Sequence, residues 1–479
     1  MGKAVRMQIE SATPWNGLTL RQRCKIVAGA RFAIARQADN LSGLCISEQR
    51  TDAFETVTAE LIPLCDALKY LAKKGATILA SRQLGVRGRP LWLWGVRSTV
   101  RRAPHGTVLI IGTWNYPLLL TGVQVAQALA AGNRVLLKPA EGCEALTRML
   151  VRCFYDAGVP EQALLQLDSS PTAAASILNA TTTPQPVDLV VLTGSANTGR
   201  KVLEQTAKTL TPAIMELSGC DAVVVLPGAD LDRVCSFVKF GLNLNSGATC
   251  IGPRRLLVED SPMADAVVTR LCQRLDETDK HFVIHPVARA GVAQTIDEAI
   301  SGGAIDATQH YDAERLAATG EMRTLVLDRV PMDAEIVSAD LFAPVISVVR
   351  LKNSEDAVAA INQCRYRLAA SVFGPRRAAI AMANQLNVGS VAINEMITPT
   401  ADPRVPFGGR GSSGFGVTRG DEGLLAMTVP VVVSERRGRF ALHHMPQNDV
   451  TRERLIGALQ LRNAQGLKMF WLALRRMLS

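Results

Sequence analysis

The sequence predicts an α/β protein built on two parallel-sheet domains with a small β element beside them. Three observations predict it. Between Gly106 and Gly199, near-continuous apolar runs alternate with segments of helical periodicity. Strands apolar throughout, rather than at every second residue, belong to a parallel sheet buried on both faces. The same rhythm restarts after Glu216, and two runs rich in β-branched and aromatic residues, Leu91–Val100 and Thr428–Val433, stand outside both series. At 479 residues the chain is also too long for a single core.

In chain order, Arg21 to Leu79 carries apolar residues at helical spacing and reads as a helical lead-in. Gly106–Gly112 and Asn133–Lys138 read as buried strands, each followed by a helix, Leu118–Ala131 and Gly142–Ala157. Val187–Leu192 is a third strand, ending at Thr193-Gly194-Ser195 where a helix starts. That rhythm describes a Rossmann-like domain. After Glu216, strands are expected at Ala222–Leu226, Arg255–Val258, Pro344–Leu351, Ala369–Gly374 and Ser390–Asn394. Helices are expected at Asp230–Asn243 and Met263–Leu275. The predicted division is residues 1–88 with 104–215, then 216–427, then strands in 89–103 and 428–437, then a tail over 438–479.

Composition narrows the function classes. Apolar residues at 48% and charged residues at 20% give an ordinary globular balance, not a disordered one. The net charge of +10 is dispersed until the tail, and aromatics are only 5%. Nucleic-acid surfaces concentrate charge with aromatics, so no nucleic-acid partner is expected. Ten cysteines lie singly, without CxxC pairs or Cys/His clusters. Reduced thiols, a cytoplasmic setting and no metal site follow as expectations. The first residues show no signal-peptide pattern, and no run of about twenty apolar residues predicts a spanning helix.

Several short segments carry polar residues at strand ends, where α/β sheets place ligands. Asn115, in Thr113-Trp114-Asn115-Tyr116-Pro117, can serve chemistry or merely cap the next helix. Lys138 and Glu141 follow a strand and can hold a ribose, although alone they read as a solvated pair. An acid at Glu141 would repel a 2′-phosphate and so favours NAD over NADP. The turn from Gly194 through Ser195 to Gly199 suits a pyrophosphate at a helix N-terminus, but it is not the usual dinucleotide fingerprint. Glu216 precedes an expected strand and Cys250 ends a helix; their separation alone carries no meaning.

Seven such pieces occur in one order: GTWNYP, LLKPAE, LTGSANTG, MELSG, NSGATC, DLFAPV and Pro406-Phe407-Gly408-Gly409 with Gly411-Ser412-Ser413-Gly414. Together they resemble the aldehyde dehydrogenase superfamily from about residue 20 to about residue 435. The short helical N-terminus and the Trp114 to Pro117 motif look most like its dimeric medium- and long-chain (fatty) aldehyde branch. The resemblance implies a cysteine nucleophile at Cys250, a general base at Glu216 and an oxyanion donor at Asn115. It implies cofactor contacts from Trp114, Lys138, Glu141, Gly194, Ser195, Gly199, Asp340 and Phe342. It also implies a homodimer joined through the strands in 89–103 and 428–437. The chemistry implied is oxidation of an aldehyde to a carboxylic acid through a thiohemiacetal and a thioester, with NAD as acceptor. Departures from the family pattern fall at Ala248, Ser218, Ala343 and the pair Ala339-Asp340, where glutamates are usual. Asp340 is one methylene shorter than the glutamate expected to hold the nicotinamide ribose.

Two alternatives belong beside this reading. One is a coenzyme-A-acylating relative, against which Glu216 argues because thiolysis needs no water-activating base. The other is a catalytically silent binding protein, against which the set Cys250, Glu216 and Asn115 argues. In the tail, Leu455 to Leu478 reads as one basic amphipathic helix carrying Phe470 and Trp471 among arginines. It suits peripheral contact with an anionic membrane, which would fit a lipophilic aldehyde, or docking on the enzyme itself.

Overall fold

The computed structural model describes residues 14–180, 187–278, 280–438, 441 and 444–478. The chain divides into two units, one of residues 1–80 with 102–429 and one of residues 81–101 with 430–479.

The larger unit holds two sheets. In the first, β1 (Thr107–Ile111), β2 (Arg134–Lys138), β3 (Leu164–Gln166), β4 (Leu189–Gly194) and β5 (Ala213–Leu217) run parallel in the order β5-β4-β1-β2-β3. The order reverses between β1 and β4, and such switch points open a crevice at the carboxyl ends of the strands. In the second sheet, β6 (Asp221–Val225), β7 (Pro253–Glu259), β8 (Ile305–Asp306), β9 (Leu325–Asp328), β10 (Val345–Leu351), β11 (Ala369–Phe373) and β12 (Ser390–Ile393) lie in the order β8-β9-β10-β7-β6-β11-β12. All of its pairs are parallel except β8 with β9. A late strand, β13 (Gly414–Phe415), returns to the first sheet antiparallel to β5 and sets Gly414 opposite Glu216.

The expected elements are present, with shifted ends and several additions. Glu216 lies inside β5, not ahead of a strand: the sequence offers too few apolar residues before Ile214 to reveal it. Leu91–Val100 is not one strand. A short turn of helix at Leu91–Leu93 is followed by a strand from Val96 to Pro104, because Gly95 breaks the run with a left-handed backbone. The short strands and helices between residues 281 and 338 lack a clean period and were not legible.

The helical lead-in supplies α1 (Leu20–Arg36) and α2 (Ile62–Ile78), which pack on α3 (Leu119–Ala131). Thr19 opens α1 with a capping box to Gln22. Every residue of α3 is buried, so its first N–H groups cannot turn to water. Glu60 satisfies them: one carboxylate oxygen accepts from Leu118 N at 2.7 Å and Leu119 N at 3.0 Å. The other oxygen pairs with Arg50, and the two side chains are 0% and 5% exposed. Cores of Leu, Val and Ala lie on both faces of each sheet.

In the smaller unit, Arg82–Leu84, the strand from Val96 and Thr428–Arg436 form a three-stranded sheet. The tail departs from the single helix expected. It forms two, α4 (Asp449–Arg462) and α5 (Leu467–Leu478), paired as a hairpin with Arg476 bonded to Glu453 at 2.7 Å. Asn463 and Gly466, the latter with φ +93°, interrupt the helical run. Gly457 lies where the backbone at Met477 approaches so closely that a Cβ would clash at 2.3 Å. Segregation of apolar and polar residues is strong in the second helix and weak in the first.

Removing one partner of a buried pair strands the other charge, at a cost of about 3–5 kcal/mol. Arg50→Met is expected to lower stability by that order in guanidinium unfolding. Arg152→Met, which breaks an exposed pair with Asp156, should change it by less than about 1 kcal/mol. Equal small effects would show that the Arg50–Glu60 pair contributes little.

Candidate active site

Cys250 closes a loop that begins where the helix Leu231–Asn243 ends. Asn245, Ser246 and Gly247 take left-handed φ values of 52°, 53° and 76° in succession. Left-handed backbone is unfavourable for the first two residues, so the loop must be held from outside. Arg50 holds one side through Asn245 Oδ1 at 3.2 Å. Arg254 on β7 holds the other, donating to the carbonyls of Gly247 at 2.6 Å and Thr249 at 3.1 Å. Only glycine fits at 247, since a Cβ there would meet the Ala343–Pro344 backbone at 2.4–2.6 Å.

The loop presents a half-buried Cys250 thiol packed against Ile251, Leu368 and Phe407. Burial pushes this thiol well above its ordinary range, and the carboxyls of Glu216 and Asp221 push it further. At rest it is therefore a thiol, and a nucleophile only once a base takes its proton.

Asn115 sits past the end of β1 and is 3% exposed. Its Nδ2 donates to Ala248 O at 2.9 Å, and its Oδ1 accepts from Thr113 and Tyr116 N. Its carbonyl accepts from Asn245 Nδ2 at 2.8 Å and from Arg50 at 2.5 Å. Capping of α3 falls to Glu60, which leaves Asn115 to tie the end of β1 to the Cys250 loop. Tyr116 and Thr249 join the same two segments through their hydroxyls at 2.6 Å.

Glu216 is 3% exposed on β5. One oxygen accepts from Thr418 Oγ1 at 3.2 Å and, more weakly, from Gln124 Nε2 at 3.5 Å. The other is buried and has no hydrogen-bond partner. Burial raises its pKa above the usual carboxylate range, against an opposing pull from Arg419. A carboxylate of raised pKa with a free acceptor oxygen is suited to take a proton.

A cavity of about 1000 Å³ opens at the switch point. Trp114, Asn115, Lys138, Glu141, Gly194, Ser195, Glu216, Cys250, Asp340 and Phe342 all line it. Gly199 does not; it is buried in its helix, where a Cβ would meet the Leu217 side chain at 2.8 Å. Its contribution is close helix–strand packing. Ser195 caps the helix Ala196–Ala207 by accepting from Thr198 N at 3.2 Å. Trp114 stacks on His285 at 5.0 Å and meets Phe342 edge-on at 5.9 Å.

These residues fit a nicotinamide dinucleotide. A helix N-terminus faces a cavity of dinucleotide size, with an ammonium at Lys138 and a carboxylate at Glu141 beside it. Asp340 carries a buried Oδ1 without a partner, an acceptor that a ribose hydroxyl would satisfy. Among the described residues no cluster could hold a metal ion. Sequence reasoning missed Arg50, Glu60, Gln124, Arg254, Thr418 and Arg419. None lies in a strand-end motif beside its partner, so only the fold brings them together.

The aldehyde dehydrogenase family model matches residues 1–433. The chain is 30% identical over 449 residues to a 4,4'-diapolycopene aldehyde oxidase of Methylomonas sp, covering 90% of this chain and 80% of that one. It is 30% identical over 426 residues to a succinate-semialdehyde dehydrogenase [NADP(+)] of Deinococcus radiodurans, covering 86% of each. A Mycobacterium tuberculosis aldehyde dehydrogenase solved in complex with NAD+ superposes with a TM-score of 0.78 at 26% identity, over 88% of this chain and 86% of that one. With its Rossmann-like sheet, its cavity at the switch point and these matches, the chain belongs to the aldehyde dehydrogenase family.

Proposed function

We propose that this enzyme oxidises a lipophilic aldehyde to the carboxylic acid with NAD, using Cys250 as nucleophile and Glu216 as base. The observation that carries this is one cavity lined by a half-buried thiol and a carboxylate with an unpartnered oxygen. Cys250 gives up its proton to the Glu216 carboxylate and its sulfur attacks the aldehyde carbon. The oxygen of the resulting thiohemiacetal takes hydrogen bonds from Asn115 Nδ2 and the Cys250 N–H. NAD, when bound, supplies the acceptor for the hydride leaving that carbon. Glu216 releases its proton to solvent and then removes one from water, the water oxygen attacks the acyl carbon, and the Cys250 thiolate departs.

Glu216→Gln is expected to slow the pre-steady-state burst of NADH and to cut steady-state turnover about a hundredfold or more, because one carboxylate takes both the thiol proton and the proton of water. Cys250→Ala should abolish both phases. In the wild type, turnover requires ionised Glu216, so kcat should fall as pH drops through a value above the usual carboxylate range. The raised pKa means the neutral form is favoured by folding. Its stabilisation is present at low pH and lost as pH rises through the raised value, so the Gln variant should melt higher at neutral pH. Unchanged turnover in the Gln variant would remove Glu216 from catalysis.

The preference for NAD rests on Glu141 at the cavity wall, where a carboxylate repels a 2′-phosphate. Relatives named for each cofactor exist, so the residue must decide. kcat/KM for NAD should exceed that for NADP by about tenfold or more, and Glu141→Ala should narrow the gap. An NADP preference in the wild type would overturn this.

The lipophilic substrate is supported by the apolar wall at Ile251, Leu368 and Phe407 and by the relative named for diapolycopene aldehyde. The fatty-aldehyde branch fits the same wall. A homodimer is supported by the strand Thr428–Arg436, an edge of its sheet with Val432 and Val433 exposed. We place the enzyme in the cytoplasm, in keeping with its free cysteines, with peripheral membrane contact through the tail hairpin. Leu467, Trp471, Leu472 and Leu478 are exposed there beside Lys468 and Arg475. No helix of the described residues is long and apolar enough to cross a membrane. Truncation of residues 446–479 should abolish co-sedimentation with anionic liposomes and spare activity on a short aldehyde. Retained binding, or lost activity, would reassign the hairpin.

A further inference from the structure

We propose that Arg419 is the fixed counter-charge of this site, a positioning residue whose guanidinium balances one negative charge that resides in turn on Glu216 and on the Cys250 sulfur. The inference rests on the reading of those two residues as base and nucleophile.

Arg419 is 8% exposed, and a guanidinium stays protonated in a protein. A buried cation normally has a carboxylate against it. Among the described residues Arg419 makes no salt bridge. Its Nη1 donates to the Thr400 carbonyl at 2.6 Å, and its plane lies 4.5 Å from the centre of the Phe407 ring. Those contacts hold the head in place without neutralising it. The acidic groups that its charge meets are Glu216 and Cys250.

The backbone supports the same assignment. Arg419 has φ +59°, strained for a residue with a side chain, and Gly420 follows at +61°. The residue before them, Thr418, donates to Glu216. One strained turn therefore delivers a hydrogen bond and a positive charge to the same carboxylate.

Of the two buried arginines whose charge meets Cys250, Arg419 is the one that also faces Glu216. Cys250 is also faced by Asp221 and Asp340, which oppose its ionisation. Arg254 is answered by carboxyls of its own, Asp340 and Asp221, while its N–H groups hold the carbonyls of Gly247, Thr249 and Ala343. When the Cys250 S–H bond breaks, the proton passes to the Glu216 carboxylate and the charge to sulfur. Hydride loss leaves a neutral thioester and Glu216 releases its proton to solvent; on deacylation it takes a proton from water, and the leaving thiolate again carries the charge. In each half-reaction the negative charge passes between Glu216 and sulfur, and Arg419 keeps that charge from being buried alone.

The test is the pH dependence of Cys250 alkylation by iodoacetamide in the full-length enzyme, read on the Cys250 peptide by mass spectrometry. In Arg419→Met and Arg419→Gln the midpoint should rise by about one pH unit or more, making alkylation about tenfold slower below it. The acid limb of kcat should move the same way. Arg419→Lys should recover most of the shift. Wild-type midpoints in the neutral variants, or a Lys variant as impaired as Met, would overturn the proposal. Loss of the fold in both neutral variants would assign the arginine to structure and overturn it too. Failure of the underlying reading shows separately, as NADH formation by Cys250→Ala.

Discussion

Arg50 and Glu60 lie so far from water that neither charge is tolerable without the other. Between them they reach four segments of chain. Glu60 closes the N-terminus of α3, while Arg50 also binds Thr56, the Asn115 carbonyl and Asn245 Oδ1. The end of β1 and the start of the Cys250 loop are thus fastened to one guanidinium. A helical lead-in that touches no reacting atom thereby fixes where Asn115 and Cys250 stand. Planar, always charged and five times a donor, arginine can make such a junction where lysine cannot. Perturbing the pair would move several contacts together, so single substitutions around it should not add.

The constraint is needed because the elements that line the cavity oppose the fold locally. Two consecutive left-handed residues before Gly247, another at Arg419 and a buried carboxylate with one oxygen unpaired each cost stability. They cluster within the reach of Cys250. The surrounding α/β layers, with apolar cores on both faces of both sheets, supply the excess that holds them. Burial also raises the pKa of both Cys250 and Glu216, so each resists ionising. A raised Glu216 is the better acceptor for a thiol proton and a raised Cys250 the poorer donor, so the two shifts oppose each other in a transfer between them.

Much of this was legible in the sequence because it depends on short-range pattern. Apolar runs such as Val108–Ile111 and Val135–Leu137 announce buried parallel strands, and polar residues just after them announce ligands. All but one of the site residues read from the motifs line one cavity. Gly199 fell outside because a glycine in a motif can serve packing, which sequence alone does not distinguish from contact. Thr418, Gln124 and Arg419 were not legible, since each stands just outside the motif residues and far along the chain from Glu216. They reach Glu216 only because β13 folds back onto β5 and α3 crosses the sheet. Long-range convergence of ordinary residues leaves no local trace.

The tail shows the opposite error, a period read too far. Apolar residues from Leu455 to Leu478 sum to one helical stripe only if Asn463 to Gly466 is ignored, and Gly466 reverses the backbone there. Once folded back, the two helices bury part of the apolar set on each other, including Ala473 and the surface around Gly457. What remains exposed is concentrated on the second helix, in Leu467, Met469, Trp471, Leu472 and Leu478. For the membrane contact proposed above, each large side chain buried would contribute roughly 1.5–3 kcal/mol, against about 1 kcal/mol for each basic residue near an anionic surface. One basic residue, Arg476, is already paired with Glu453 within the hairpin. Apolar insertion therefore outweighs charge, and binding through this surface should weaken with salt without being abolished by it.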